Sequence, residues 1–207
     1  MTASSRSTPP EYFAEMYAAN DDPWSFQTRW YEQRKHDLTV ASLPQRRYRS
    51  GFEPGCSTGM LTLRLAQRCD RLLAVDIAAE AVRTTAERLA DHRHVQVQQR
   101  RMPSDWPDAH FDLVVLSELC YYFDDVDLGL LTSRAVQALE PGGTLVAVHW
   151  RPTVAEHART GDDVHRRLNA EPGLHRLGRH EEDDFLLDVF LRVPPQARSV
   201  AQAEGLC

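Results

Sequence analysis

The sequence predicts an α/β protein: a seven-stranded, mostly parallel sheet with helices on both faces and an antiparallel hairpin at its C-terminal end. Three observations predict it. Strand-like and helix-like segments alternate from about residue 50 onward, the pattern of a parallel sheet crossed by helices. RLLAVD, FDLVVLSE and TLVAVHW are nearly continuous apolar runs, as strands covered on both faces must be. LHRLGRH and DFLLDVFLRV are separated only by the acidic turn EEDD, which leaves no room for a crossover helix, so they pair antiparallel.

Each element can be justified in order. Tyr12, Phe13, Met16 and Tyr17 share a helical face, which NDDPW breaks. A second helix is expected from Phe26 to Ser42, with Trp30, Tyr31, Arg34, Leu38 and Ala41 on one stripe. Phe52 and Glu53 end a short strand, and Leu61, Leu65 and Cys69 mark the helix after EPGCSTG. RLLAVD closes on Asp76, followed by a stripe of Ala78, Val82, Ala86 and Leu89, then the alternating strand HVQVQ. Leu128, Leu131, Ala135 and Leu139 form another helix, stopped by Pro141-Gly142-Gly143. HARTGDDVHRRLNA shows no pattern that assigns it. Residues 1–10 and 194–207 are small, polar and proline-bearing and are expected to be disordered tails. Residues 11–45 form an N-terminal helical lid segment and 46–193 the core.

Composition narrows the function. A chain of 207 residues with 42% hydrophobic residues suits one domain with one core. A net charge of −6 argues against a binder that works by neutralising nucleic-acid phosphates. No apolar run is long enough for a membrane span, and the start lacks the apolar stretch of a signal peptide. Cys56, Cys69, Cys120 and Cys207 are widely spaced and read as reduced thiols, and the histidines offer no metal set. The expectation is a cytoplasmic protein without metal, nucleic-acid or membrane partners, monomeric or homodimeric.

The chemistry centres on EPGCSTG. A glycine-rich turn entering a helix exposes unsatisfied N–H groups to a ligand. Gly55 and Gly59 provide the turn, but Ser57 stands where a phosphate-binding loop needs glycine, which favours a ligand without phosphate there. A plain strand–helix turn remains the alternative. Asp76, at the end of the next strand, suits ribose hydroxyls, or else caps the following helix. Arg34, in the middle of an aromatic stripe, suits a ligand carboxylate, with an internal acid or solvent as the alternatives.

EPGCSTG, AVD, FDLVVLSELCYYF and LEPGG together resemble the class I S-adenosylmethionine-dependent methyltransferases. DDPWSFQTRWYEQRKHDL narrows the resemblance to the nodulation protein S group of small-molecule N-methyltransferases, over about residues 11–193. The resemblance implies a Rossmann-like core and S-adenosylmethionine as cofactor, with S-adenosylhomocysteine as product. It implies Glu53, Gly55, Cys56 and Gly59 around the methionine part and Asp76 with Ile77 at the ribose. Near the adenine an acid is typical; here Arg101 and Met102 stand in that region, and Met102 or Asp105 is expected to substitute. Ser117 and Glu118 would lie beside the reacting centre. Trp24, Trp30, Tyr31 and Arg34 are placed to close over the cofactor. Glu118, Tyr121 and Tyr122 offer a carboxylate and aromatic faces to a sulfonium. His149 is a candidate proton acceptor, or a histidine hydrogen-bonded at a strand end. The expected acceptor is a small-molecule amine, with a hydroxyl as alternative. A nicotinamide-dependent oxidoreductase and a non-catalytic cofactor-binding domain are the readings from other classes.

Overall fold

The computed structural model describes residues 6–206. Its strands are β1 Gly51–Pro54, β2 Leu72–Asp76, β3 Val95–Gln99, β4 Phe111–Ser117, β5 Leu139–Trp150, β6 Leu174–Glu181 and β7 Phe185–Arg192. They form one sheet in the order β3-β2-β1-β4-β5-β7-β6. Strands β1 to β5 pair in parallel, and β7 runs antiparallel between β5 and β6. This is the predicted sheet. Successive side chains of a strand point to opposite faces, so the central strands feed two cores. Phe52, Val114, Leu116, Leu145 and Ala147 pack on one face with helix α5, Asp125–Ala138. Leu113, Val115, Val146 and Val148 pack on the other with helix α3, Met60–Ala66.

The remaining helices are α1 Pro10–Ala19, α2 Trp30–Ala41, α4 Ala79–Arg88, α6 Gly161–Asn169 and α7 Val200–Ala203. Helix α2 begins four residues later than expected. The Asp22 carboxylate accepts the N–H groups of Phe26 and Gln27 at 2.9 and 3.0 Å, and Ser25 has φ +60°, which together hold Phe26 in a turn. Its orientation also differs. Trp30 is 70% exposed, and the buried face is Glu32, Lys35, His36 and Thr39. Helix α4 buries Ala81 and Thr85 instead of Val82 and Ala86. Pro141-Gly142-Gly143 lies within β5, because α5 already ends at Ala138 and Leu139 opens the strand.

Helix α6 comes from the segment that the pattern left unassigned. The Thr160 hydroxyl caps it by accepting the Asp163 N–H, with Asp162 and Asp163 in its first turn and Arg166 and Arg167 in its last. That is the charge order a helix dipole favours. The expected disordered tails are also ordered in part. Ser7 Oγ donates to Asp127, and the Thr8 N–H donates to Tyr122 O, which pins the chain ahead of α1. A capping box between Ser199 and Gln202 closes α7. Residues 1–5 and Cys207 lie outside the described residues. Among the described residues no helix is long and apolar enough to cross a membrane, and no metal-binding group forms.

The strand order reverses between β1 and β4, and open α/β sheets bind ligands at the carboxyl ends beside such a reversal. Helix α1 packs on α4 and α2 on α3 above this point.

Candidate active site

A cavity of about 510 Å³ opens there, walled by the carboxyl ends of β1, β2 and β4 and by α1 and α2. The loop after β1 takes three left-handed residues in five: Gly55 (φ +81°), Ser57 (+50°) and Gly59 (+77°). A Cβ on Gly55 would meet Leu119 Cδ1 at 3.2 Å, and one on Gly59 would meet Thr85 at 3.0 Å. Gly59 is thus required for packing α3 against α4, and it does not reach the cavity wall. Ser57 costs about 1 kcal/mol in this conformation. Three bonds offset that cost. Its N–H donates to Asp76 Oδ2 at 2.9 Å, its carbonyl accepts the Thr85 hydroxyl at 2.7 Å, and its Oγ lies 2.6 Å from Tyr17 Oη on α1.

Asp76 ties this loop to the start of α4, since its other oxygen accepts the Ala78 N–H at 3.0 Å. It also lines the cavity, as do Ile77, Cys56, Ser117 and Met102. Asp105, the other residue expected near an adenine, is not on the cavity wall. Its carboxylate accepts the Arg101 N–H at 3.0 Å. Trp24 lines the cavity, edge-on to Tyr17 and stacked on Phe26. Glu53 is buried in β1 with Oε2 unpaired. Burial, with some help from Asp76 and against a pull from Thr62, pushes its pKa up to about 8.

The opposite end of the cavity is built around Glu118, which has φ +51° immediately after β4. Its Oε1 accepts from Lys35 Nζ at 2.7 Å; its Oε2 accepts from the Tyr121 hydroxyl at 2.5 Å and the Trp150 N–H at 3.1 Å. Burial pushes the Glu118 pKa up, but Lys35, Tyr121 and Trp150 together outweigh it and hold it below the usual value. Burial would likewise discharge Lys35, yet Glu118 and Glu32 hold its pKa above the usual value. Tyr121 stacks on His157 with ring centres 3.9 Å apart, and both rings face the cavity. Burial lowers the His157 pKa to about 4, so the imidazole is neutral at pH 7.

Besides Gly59 and Asp105, four sequence-predicted residues stand elsewhere. Arg34 forms a two-pronged bond with Glu182 at 2.7 and 2.9 Å on the outer side of α2, about two-fifths exposed. One residue along a helix turns the side chain by roughly 100°, so Lys35 faces the cavity instead. Tyr31 lies behind the wall, packed on Trp150 and Phe185, with the Lys35 ammonium 4.9 Å from its ring centre. Trp30 is exposed, as the turn of α2 requires.

His149 is the fourth. It is fully buried and absent from the cavity wall. The Cys120 N–H donates to its Nε2 at 3.2 Å, which makes Nδ1 the protonated nitrogen. Nδ1 therefore donates to His165 Nε2 at 3.1 Å, and His165 Nδ1 donates to Asp188 at 2.7 Å. Both nitrogens are engaged, and burial lowers the His149 pKa far below its usual range. The chain of bonds anchors the 3₁₀ turn Cys120–Tyr122 that carries Tyr121. His149→Phe leaves the Cys120 N–H and His165 Nε2 without partners, and is expected to destabilise the fold by about 2–4 kcal/mol in urea unfolding.

Sequence reasoning missed Glu32, Lys35, His36, Tyr17 and His157, all of which line the cavity. A signal was present for α2: positions 32, 35, 36 and 39 form a stripe at helical spacing, but the stripe is polar.

Comparison with known proteins agrees with this architecture. The family model Nodulation protein S (NodS) matches residues 13–160. Nodulation protein S from Rhizobium tropici is 31% identical over 130 residues, covering 62% of this chain and 55% of that protein. The Sinorhizobium fredii protein of the same name is 30% identical, covering 62% and 60%. The match thus spans less than two thirds of these relatives' length. Among solved structures, the N-methyltransferase NodS from Bradyrhizobium japonicum WM9 in complex with S-adenosyl-l-homocysteine is 26% identical with a TM-score of 0.80, covering 90% of this chain and 99% of that one. A putative methyltransferase from Pseudomonas syringae is 48% identical with a TM-score of 0.71, covering 79% and 100%. The matched residues 13–160 take in most of α1, the Gly55–Gly59 loop, Asp76, Glu118 and His157, and the chain belongs to the nodulation protein S family.

Proposed function

We propose that this protein is an S-adenosylmethionine-dependent methyltransferase that transfers a methyl group to a small-molecule amine. One observation carries the reading: three successive strand ends each place a carboxylate in one cavity, Glu53 from β1, Asp76 from β2 and Glu118 after β4. S-adenosylmethionine presents three matching groups, an ammonium, a ribose diol and a sulfonium. The unpaired Glu53 Oε2 lacks a donor that an ammonium would supply. The Asp76 carboxylate accepts the Ser57 and Ala78 N–H groups, with the Ile77 N–H also bearing on it, and of its roughly four acceptor sites one remains for a hydroxyl. Ile77 and Met102 offer an apolar slot for adenine, without the typical acid. When bound, the cofactor supplies a sulfonium methyl for direct in-line transfer.

The residues of the chain do the positioning that such a transfer depends on. Glu118, fixed by three donors, and the Tyr121 ring present a carboxylate and a π-face to a cation. Tyr121, Tyr122, Trp150 and His157 wall the acceptor side. The similar Bradyrhizobium structure is that of an N-methyltransferase, which supports an amine over a hydroxyl.

Calorimetric titration with S-adenosylhomocysteine and with NAD tests the cofactor: binding of NAD alone sinks the reading. A screen of primary amines against matching alcohols tests the acceptor, and transfer to alcohols alone would make this an O-methyltransferase. Asp76→Ala is expected to weaken S-adenosylhomocysteine binding by about 1.5–3 kcal/mol through lost charge-assisted bonds. Unchanged affinity would leave Asp76 only its ties to Ser57 and Ala78.

A further inference from the structure

The inner face of α2 carries more polar groups than holding Glu118 requires. Glu32, Lys35 and His36 all line the cavity, and the first and last are 7% and 5% exposed. Two atoms on this face have no geometrically aligned hydrogen-bond partner, Glu32 Oε2 and His36 Nδ1. Glu32 Oε2 is ion-paired with Lys35 Nζ at 2.9 Å, while the aligned hydrogen bond of Lys35 goes to Glu118 Oε1. A buried polar atom without a hydrogen-bond partner is costly, and folds rarely keep two on one helical face.

The charges specify what is missing. Glu32 and Glu118 bring two negative charges and Lys35 one positive charge, which leaves the cluster negative. His36 is neutral, its pKa lowered to about 4 by burial and then by Lys35 and Arg64. The group that fits is a cation with several donors. A primary ammonium has three, one for Glu32 Oε2 and one for the lone pair of His36 Nδ1. Phe26 and Tyr121, on the same cavity wall, add aromatic surface for such a cation.

We propose that Glu32 and His36 form the subsite for the ammonium of the methyl acceptor, and that Glu32 Oε2 takes the proton whose departure frees the nitrogen lone pair. The proposal rests on the methyltransferase reading above. In the step, R–NH3⁺ and the carboxylate become R–NH2 and a carboxylic acid with no net change in charge; the acid returns its proton to water as product leaves. Glu118 cannot serve, because both its oxygens are already engaged, and His149 does not reach the cavity. Glu32 is also poised to accept. Burial raises its pKa, with Glu118 adding and Lys35 and Arg29 opposing, while the phenols of Tyr31 and Tyr121 face it uncharged.

The test uses the full chain saturated with S-adenosylhomocysteine, titrated with benzylammonium and with benzyl alcohol in a calorimeter. Wild type should bind benzylammonium. Glu32→Gln should weaken that binding about tenfold or more while leaving S-adenosylhomocysteine affinity within about twofold, and Glu32→Asp should recover part of the loss. Benzyl alcohol binding should not change. Retained S-adenosylhomocysteine affinity doubles as the control for folding. An equal loss of S-adenosylhomocysteine affinity in Glu32→Gln would assign the face to the cofactor and overturn the proposal. Unchanged benzylammonium affinity in that variant, or no binding by wild type, overturns it as well. Failure of wild type to bind S-adenosylhomocysteine removes the methyltransferase reading itself, a distinct result.

Discussion

Lys35→Met is expected to lower the unfolding free energy by about 3–5 kcal/mol at pH 7, because it leaves Glu32 and Glu118 buried against one another with no cation between them. The loss should depend on pH with a definite sign. In wild type the Glu118 pKa is held below its usual value, so its contribution is present above the unfolded pKa and disappears as pH falls through the folded one. Without Lys35 both carboxyls protonate more readily, and the difference between variant and wild type should shrink as pH is lowered. Urea unfolding from pH 8 down to pH 4 measures this, and a constant difference across that range would mean that Lys35 acts through packing alone. A second effect accompanies the first. Glu118 would lose the bond that fixes Oε1, so the bond to the Tyr121 hydroxyl would no longer be held in one geometry.

Glu53→Gln should move stability and binding in opposite directions. The Glu53 pKa stands near 8 in the folded protein against an ordinary value of 4.5. A folded pKa raised in this way means the stability it allows is fully present below pH 4.5 and is lost as pH rises through about 8. Glutamine does not ionise, so the ligand-free variant should be the more stable by an amount that grows over this window, reaching roughly 2–3 kcal/mol at pH 7. The same change removes the negative charge that an ammonium would meet. S-adenosylhomocysteine binding should therefore weaken about tenfold or more. In wild type, that binding should release a proton at pH 6–7, seen as an enthalpy that varies with buffer. A variant that loses stability, or that binds as tightly as wild type, would show that Glu53 serves the fold and not the ligand.

The core was legible because it obeys apolar periodicity. β4 and β5 are apolar runs and are buried on both faces; Leu128, Leu131 and Ala135 on α5 point inward as their spacing requires. Gly55, Asp76 and Glu118 were legible because strand ends and tight turns carry recognisable residue types. What failed was the N-terminal helix over the site. A helix that covers a core turns its apolar face inward, whereas α2 turns in Glu32, Lys35, His36 and Thr39, the first three onto the cavity. Reading its aromatic stripe as the inner face exchanged Arg34 for Lys35 and put Trp30 on a wall it does not join. As a proton acceptor His149 failed for a different reason, while the alternative of a histidine hydrogen-bonded at a strand end is what the structure shows. Its position at a strand end was right, but its partners, His165 on α6 and Asp188 on β7, come from segments whose approach no local pattern announces. Helix α6 itself hides because its buried side chains Val164, His165 and Leu168 include only two apolar groups.

The cavity wall is divided along the chain. On the proposed reading, the cofactor side is drawn from the loops after β1, β2 and β3, and the acceptor side from the segments after β4 and β5, which carry Tyr121, Tyr122, Trp150 and His157, together with Glu32 and His36 of α2. Laboratory diversification can exploit that division. A library confined to Tyr122, Val154 and His157 would vary acceptor preference while leaving Gly55, Ser57 and Asp76 intact, so a large share of its members should keep their methyl donor.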